Sequence, residues 1–125
     1  MNLELHPSVF PDHIRFDFTG NYDFLELMQH IEMMRDEATS ADRKLALIDT
    51  RTTEGRMTES EKFFAGAKIA EVFGSKIKAA VIIAAGEVTK LGEMAAVNRG
   101  ARFLVTENEA EAVEWLFTPA GNTAP

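Results

Sequence analysis

The chain has no cysteine, which excludes several chemistries at once. Without thiols there is no disulfide framework, no zinc-thiolate site and no cysteine nucleophile. Long apolar runs are also missing. The longest, Ala79–Ala85, is far shorter than the roughly 20 residues that a membrane-spanning helix needs. The amino-terminal MNLELHPS has neither a basic region nor an apolar core of signal-peptide length, so we expect the protein to be made and kept in the cytoplasm.

Positive charge is scarce. Lysine and arginine together number 13 against 20 aspartates and glutamates, which gives a formal net charge of -7 at pH 7. The chain therefore has no overall electrostatic attraction for the phosphate backbones of nucleic acids or for anionic lipid headgroups. Nucleic acid is not an expected partner.

Catalytic motifs are absent as well. No serine stands in a G-x-S-x-G elbow, no glycine-rich phosphate loop is present, and the carboxylates are scattered rather than paired. The three histidines, His6, His13 and His30, fall on different predicted elements, and a metal site would need them gathered with a carboxylate such as Asp12. We expect surface histidines, no metal, no cofactor and no enzyme.

What the sequence does contain is the pattern of an α/β fold. Lys76–Ala85 contains the uninterrupted apolar stretch Ala79–Ala85 and is rich in β-branched residues, which predicts a central strand buried on both faces. Ile14, Phe16 and Phe18 alternate with polar residues, as in a half-buried strand that ends at Gly20. Further strands are predicted at 2–6, 44–49 and 102–105, and helices at 24–38, 58–73, 90–99 and 107–117.

This order, β-β-α-β-α-β-α-β-α, predicts a mostly parallel sheet of about five strands, with the first strand antiparallel at an edge and about four covering helices. Capping boxes are predicted at Asp23/Glu26, Thr58/Glu61 and Thr106/Glu109. Residues 1–117 form one domain in this interpretation, and 118–125 a disordered tail.

Several short sequence segments, taken in order, resemble those of a known protein family. They are Gly20 before the first helix, Leu47–Arg51 at a strand end, Met57–Glu61 opening the next helix, Lys78–Ile82, Glu93 with Val97–Gly100, and Glu111–Leu116. This set resembles the bacterial SpoIIAA-like family, whose members are also described as STAS/SEC14 domain proteins, and it covers residues 2–117. The resemblance implies a sheet flanked by helices in a β-α superhelix.

Two functions follow from that resemblance. In STAS regulators such as anti-sigma-factor antagonists, a serine or threonine in a D-S-S-G-like turn is phosphorylated and switches partner binding. The corresponding turn here is Asp49-Thr50-Arg51-Thr52, where Arg51 holds the phosphoacceptor position and no glycine follows, which argues against a phosphorylation switch. SEC14-like relatives instead bind hydrophobic ligands beneath a movable helix.

Methionines and phenylalanines offer some support for a ligand pocket, although the same residues also suit an ordinary core. Met33 and Phe64 are the clearest candidates for a pocket or interface, because both fall off the main apolar stripe of their helices. Asn98 and Arg99 end a short helix. They either cap it or join Arg51 in holding an anionic group.

Two hypotheses therefore stand. The first is a non-enzymatic regulatory module that docks a protein partner through Asp49–Met57 and the helix that follows. The alternative is a SEC14-like carrier of an apolar or amphipathic ligand, with transient membrane association. A homodimer through the edge strand or an exposed methionine surface is compatible with either.

Overall fold

The computed structural model describes residues 2–119, and within them five strands and four helices follow the predicted order. The strands are β1 (Leu3–Val9), β2 (Ile14–Gly20), β3 (Leu45–Asp49), β4 (Lys78–Ile82) and β5 (Phe103–Thr106), and the helices are α1 (Phe24–Ser40), α2 (Glu59–Phe73), α3 (Leu91–Val97) and α4 (Glu109–Phe117). None of these helices combines the length and apolar character needed to cross a membrane.

The strands form one mixed sheet in the order β1-β2-β3-β4-β5, with β1 antiparallel to β2 and every other pair parallel. This confirms the predicted fold class and the antiparallel edge strand. The middle strand is β3, however, and not the longer apolar run. Only the first part of that run forms β4, which lies between β3 and β5, while Ala84 and Ala85 leave the sheet and are exposed.

The helices cover the two faces of the sheet unequally. One core joins the sheet to α1, α2 and α3 through Ile31, Ile69 and Ala96. A smaller core on the other face joins β3 and β4 to α4, through residues such as Ala112 and Leu116. The alternating residues of β2 point their apolar side chains into the first core, as the sequence predicts.

The amino-terminal hairpin is longer than predicted. The prediction ended the first strand at His6 because Pro7 follows, yet β1 continues through Pro7, which pairs with Phe16, to Val9, which pairs with Ile14. An edge strand tolerates proline because one of its hydrogen-bonding sides has no neighbouring strand. The reversal is made by residues 10–13.

Helix α2 begins with the predicted capping box, in which Thr58 and Glu61 exchange side-chain and backbone hydrogen bonds. Two of the predicted boxes do not close. Asp23 does cap α1, but the Glu26 carboxylate accepts instead from the Leu3 amide at 2.9 Å. Helix α4 is capped by Asn108, while the side chain predicted for that role, Thr106, belongs to β5.

Helices α2 and α3 approach each other through glycines. Gly66 is buried, and a Cβ atom built on it would lie 2.0 Å from the carbonyl oxygen of Gly92. The sequence predicts the apolar stripe of α2 as Phe63, Ala67, Ala70 and Phe73. Ala70 and Phe73 are buried, but the first two are only partly buried, and Gly66 and Ile69 are buried in addition. The close approach fixes α3 beside the start of α2, where the candidate site lies.

Residues 118 and 119 are the only part of the predicted tail that the structure describes; residues 120–125 lie outside it. The carbonyl oxygen of Thr118 accepts a hydrogen bond of 2.7 Å from the ammonium group of Lys78. That ammonium also donates to the carbonyl oxygen of Trp115 at 2.8 Å and lies 4.5 Å from the centre of the indole ring. A buried lysine of the sheet thus holds the carboxyl end of α4.

Candidate functional site

The loop between β3 and α2 (residues 50–58) starts where the parallel strands end, the position at which open α/β sheets usually bind ligands. Its first residues are tied to both neighbouring strands. Thr50 donates to the carbonyl oxygen of Ile82 from its amide at 2.9 Å and from its hydroxyl at 3.1 Å. The Thr52 hydroxyl donates to the carbonyl oxygen of Phe18 at 3.1 Å.

The next residues of the β3–α2 loop pair with the chain that follows β2. The Glu54 amide donates to the Gly20 carbonyl oxygen at 2.8 Å, and the Tyr22 amide donates to the Glu54 carbonyl oxygen at 2.7 Å. These bonds extend the sheet by one parallel bridge between Asn21 and Glu54. Most side chains of the loop are nevertheless exposed, with Arg56 leaving 81% of its side-chain surface in solvent. The loop is therefore exposed but held in place.

On the α4 side of the sheet, Asp49 is the centre of a charge network made of Arg15, Asp17, Asp49, Arg51 and Glu109. Its carboxylate accepts from Arg15 at 2.8 Å and from Arg51 at 2.8 and 3.0 Å. Glu109 accepts from Arg51 at 2.7 Å and from Arg15 at 3.3 Å, and Asp17 accepts from Arg15 at 3.1 Å. The network joins β2, β3 and the first residue of α4.

The pairing governs ionisation in the network. Burial of Asp49 opposes its charge, but hydrogen bonds and attraction from Arg51, together with the charge of Arg15, hold the pKa of the carboxyl below its ordinary value. Glu109 also accepts a hydrogen bond from Arg51, and this bond lowers the pKa of the Glu109 carboxyl. The bonds to Asp49 and Glu109 raise the pKa of Arg51. Asp49, Arg51 and Glu109 are thus charged at neutral pH, in a network that sets three carboxyl side chains against two guanidinium groups.

This arrangement bears on the predicted anion site. Arg51 already binds two carboxylates, so the network offers no surplus positive charge to an anionic headgroup. Arg99 lies elsewhere: its guanidinium donates to the Ala95 carbonyl oxygen at 2.9 Å and lies 5.0 Å from the centre of the Phe63 ring. Asn98 and Arg99 precede β5, whereas Arg51 follows β3. The parallel strands therefore place them at opposite ends of the sheet, and the structure does not bring them together.

Met33 and Phe64 are exposed, as their positions off the apolar stripes predict, with 47% and 55% of their surfaces accessible. Neither lines the two cavities described below. The methionines that do are Met34 and Met57. Met33 and Phe64 thus belong to the outer surface of α1 and α2 rather than to an internal pocket.

Two adjoining cavities of about 110 and 100 Å³ lie between the sheet and helices α1 and α2. Seven residues line both of them: Phe18, Leu27, Thr50, Met57, Lys62, Ile83 and Glu87. The deeper cavity is almost wholly apolar and reaches Ile69 and Phe103 in the core, while the outer one reaches Gly55 and Arg56. The β3–α2 loop therefore forms part of the wall of both cavities.

The histidines do not form a site. His6 contacts the Thr19 hydroxyl at 2.9 Å and His13 contacts the Asp12 carboxylate at 2.7 Å. The prediction of a surface position is wrong for His30, which is buried, donates from Nε2 to the Leu3 carbonyl oxygen at 2.9 Å and packs edge-on against Phe18. Within residues 2–119, no group of three or more histidine, aspartate or glutamate side chains is placed to hold a metal ion.

Known structures share the fold of this chain. The chain is similar to the crystal structure of an anti-sigma factor antagonist from Mycobacterium paratuberculosis, with a TM-score of 0.63, 10% identity, and coverage of 93% of this chain and 95% of that one. It is also similar to an uncharacterized DUF3478-family protein from Shewanella loihica, described as having a SpoIIAA-like fold. That match has a TM-score of 0.55, 20% identity, and coverage of 92% of this chain and 93% of the other. The chain has a SpoIIAA-like fold. Neither a family sequence model nor a curated protein matches it.

In this SpoIIAA-like fold, the turn after β3 is built around internal contacts. The two threonine hydroxyls that flank Arg51 both donate to main-chain carbonyl oxygens of adjacent strands. Sequence reasoning found this turn but missed Arg15 and Glu109, which lie 34 residues before and 60 after Asp49 in the chain. The one signal for Arg15 was its outward position on the alternating strand β2.

Proposed function

We propose that this SpoIIAA-like domain is a non-enzymatic regulatory module that binds a protein partner through the β3–α2 loop and the first turns of α2. The observation that carries the proposal is the combination of exposure and order in that loop. A segment already held in its binding conformation loses little conformational entropy when a partner docks. The similarity in fold to an anti-sigma factor antagonist, a regulator by its name, supports the same function.

In this proposal Asp49, Thr50, Arg51 and Thr52 shape the loop, since their side chains are occupied by internal bonds. Contact with the partner falls to the exposed groups beyond them, beginning with Arg56. Phe64, one turn into α2 and 55% exposed, supplies an apolar anchor of the kind that dominates protein interfaces. Phosphorylation at Thr50 or Thr52 would displace a structural hydrogen bond, so we do not assign a phosphorylation switch to this turn.

The test is capture of partners by purified protein carrying a charge reversal in the loop. Arg56→Glu changes an exposed side chain whose ion pair with Glu87 is 3.4 Å long. Arg35→Glu is the matched control, because Arg35 is an exposed arginine of α1 that pairs with its neighbour Asp36. A partner retained by the control and reduced at least about tenfold by Arg56→Glu supports docking at the loop. Partners unaffected by Arg56→Glu, and equally unaffected by Phe64→Ser, would refute it.

We propose a second function on a separate observation, the two adjoining cavities beneath α2. An apolar space next to a loop is suited to an apolar or amphipathic ligand, as in a carrier or sensor. Native mass spectrometry of freshly purified protein tests this, followed by denaturing extraction of any extra mass. A bare chain that also gains no thermal stability from added amphiphiles would argue against ligand binding, and the same spectrum reports whether the chain associates with itself.

A further inference from the structure

The size of the two cavities limits what they can hold. An engineered protein cavity of about 150 Å³ is large enough for one benzene molecule, and drug-sized ligands occupy about 300–1,000 Å³. Cavities of about 110 and 100 Å³ that share a wall therefore have room for a short single chain or one to two rings. A phospholipid with two acyl chains is far too large for this space.

The charges around the cavities indicate the polar end of that molecule. Among residues 2–119, three cations line them, Arg56, Lys62 and Lys90, against a single carboxylate, Glu87. Glu87 is itself paired with Arg56 at 3.4 Å. Lys90 is bound to Glu93 at 3.0 Å outside the cavity wall. Lys62 has a carboxylate partner as well, but of these three cations it alone lines both cavities, which makes it the cation best placed to meet a ligand.

Lys62 is fixed where the cavities join. Its ammonium group donates to the Glu87 carbonyl oxygen at 3.1 Å, and only 15% of its side chain is exposed. Its remaining ionic partner is Glu59, one turn earlier in α2, at 3.1 Å and with 59% of its side chain in solvent. Because Glu59 lies mostly in solvent, water weakens its pairing with Lys62, and a carboxylate entering from the cavity can take the place of Glu59.

We propose that the two cavities together form the binding site of a small apolar monocarboxylate, a short-chain or single-ring acid, whose carboxylate pairs with Lys62 and whose apolar part enters the deeper cavity. This inference rests on the second function proposed above, ligand binding, and adds the class of ligand. It also links the two functions. Thr50 and Met57 line both cavities, so an occupied site packs against the inner side of the β3–α2 loop and restrains it.

The test is titration of the full chain with octanoate, using 1-octanol as a neutral probe of similar length. Heats of binding or amide chemical-shift changes give the affinity. Lys62→Met removes the proposed counter-ion, and Lys68→Met is the matched control. Lys68 stands on the same helix but pairs with Glu32 on the outer surface. We expect Lys62→Met to weaken octanoate at least tenfold, Lys68→Met to leave it unchanged, and neither to change octanol binding by more than about twofold.

A second variant tests the position of the apolar part. Ala65 lines the deeper cavity from α2, so Ala65→Leu should fill that space and weaken both probes. Bound octanoate should also slow amide hydrogen exchange in residues 50–58. Equal binding of octanoate to the wild type and Lys62→Met would overturn the assignment of the carboxylate.

The outcomes separate this inference from the function on which it rests. If octanoate does not bind but a larger lipid extracts from purified protein, ligand binding stands and the small monocarboxylate is refuted. If neither probe binds and the chain carries no extra mass, both proposals fail. The docking proposal is untouched by either result, because Arg56→Glu tests it on a different side chain.

Discussion

Replacing Gly66 with alanine should destabilise the domain by forcing α2 and α3 apart. The added Cβ would lie 2.0 Å from the carbonyl oxygen of Gly92 and 2.8 Å from its carbonyl carbon. Ordinary contacts of a Cβ atom are 3.4–4 Å, so the nearest one falls short by more than 1 Å. Both atoms belong to the backbone, and no side-chain rotation can relieve the overlap. One of the helices must move.

Two effects of opposite sign set the magnitude. Alanine is better than glycine inside a helix by about 1 kcal/mol, which favours the variant. Overpacking a well-filled contact costs about 1–3 kcal/mol, with more at a backbone clash. We expect the clash to win and the free energy of unfolding to fall by about 1–2 kcal/mol. Gly92→Ala is the natural comparison, because its nearest contact, the Lys62 carbonyl oxygen at 2.9 Å, is a smaller backbone overlap that should lower the stability less than Gly66→Ala does.

Urea unfolding followed by far-ultraviolet circular dichroism measures both variants against the wild type. The reasoning holds if Gly66→Ala has the lowest midpoint of the three proteins and Gly92→Ala lies between it and the wild type. A Gly66→Ala protein more stable than the wild type by the full helix-propensity gain would refute it. That result would mean that α2 and α3 are not in backbone contact.

Three further tests, with five substitutions among them, probe other parts of the structure. Asp49→Asn should cost about 1–2 kcal/mol at pH 7, because both arginines of the charge network lose an ionised partner. The folded pKa of Asp49 is depressed, so its stabilisation is full above the unfolded pKa of about 3.9 and is lost as pH falls through the folded value. The urea midpoints of variant and wild type should therefore converge progressively as the pH is lowered below about 4. Lys78→Met should cost about 1–3 kcal/mol and red-shift the fluorescence of the single tryptophan, while Lys76→Met, at an exposed position two residues away, should do neither. Phe73→Ala should cost about 3–5 kcal/mol and Phe64→Ala less than about 0.5 kcal/mol in thermal and urea unfolding.

For each of these predictions, one experimental outcome would contradict the structural reasoning. A stability gap for Asp49→Asn that stays constant from pH 7 to about pH 2 would mean that the carboxylate is not what the arginines bind. Equal losses from Lys76→Met and Lys78→Met would show that the ammonium of Lys78 does not hold the end of α4. A large loss from Phe64→Ala would place that ring in the core and remove it from the proposed docking surface.

Much of the fold follows from patterns that are local in the chain. The alternation of Ile14, Phe16 and Phe18 identified a strand with one buried face, and all three side chains are buried. Thr58 and Glu61, three residues apart, identified the start of α2. Such features need only neighbouring residues and backbone geometry, so a single sequence is enough to predict them.

Contacts between side chains and groups that are distant in the chain could not be predicted from local patterns. Glu26 has the right spacing to close a capping box with Asp23, but β1 brings the Leu3 amide to it and the carboxylate binds there instead. His30 falls on the polar side of α1 by helical counting, yet the hairpin covers it. Glu26 had a suitable hydrogen-bond partner nearby in the chain, and His30 had access to solvent. In both cases the tertiary fold brought a backbone group of β1 to the side chain, and the side chain bonds to that group instead.

The sequence by itself determined the order of elements, the parallel sheet with its antiparallel edge, the buried faces of the strands and the turn at Asp49–Thr52. Only the tertiary structure decided that Arg51 is held between Asp49 and Glu109, that Arg99 lies at the other end of the sheet, and that Lys62 borders a cavity. Burial and periodicity are properties of a segment, which its own residues encode. The partner of a charge, or the space left between a helix and a sheet, depends on several segments at once and exists only when they are packed together.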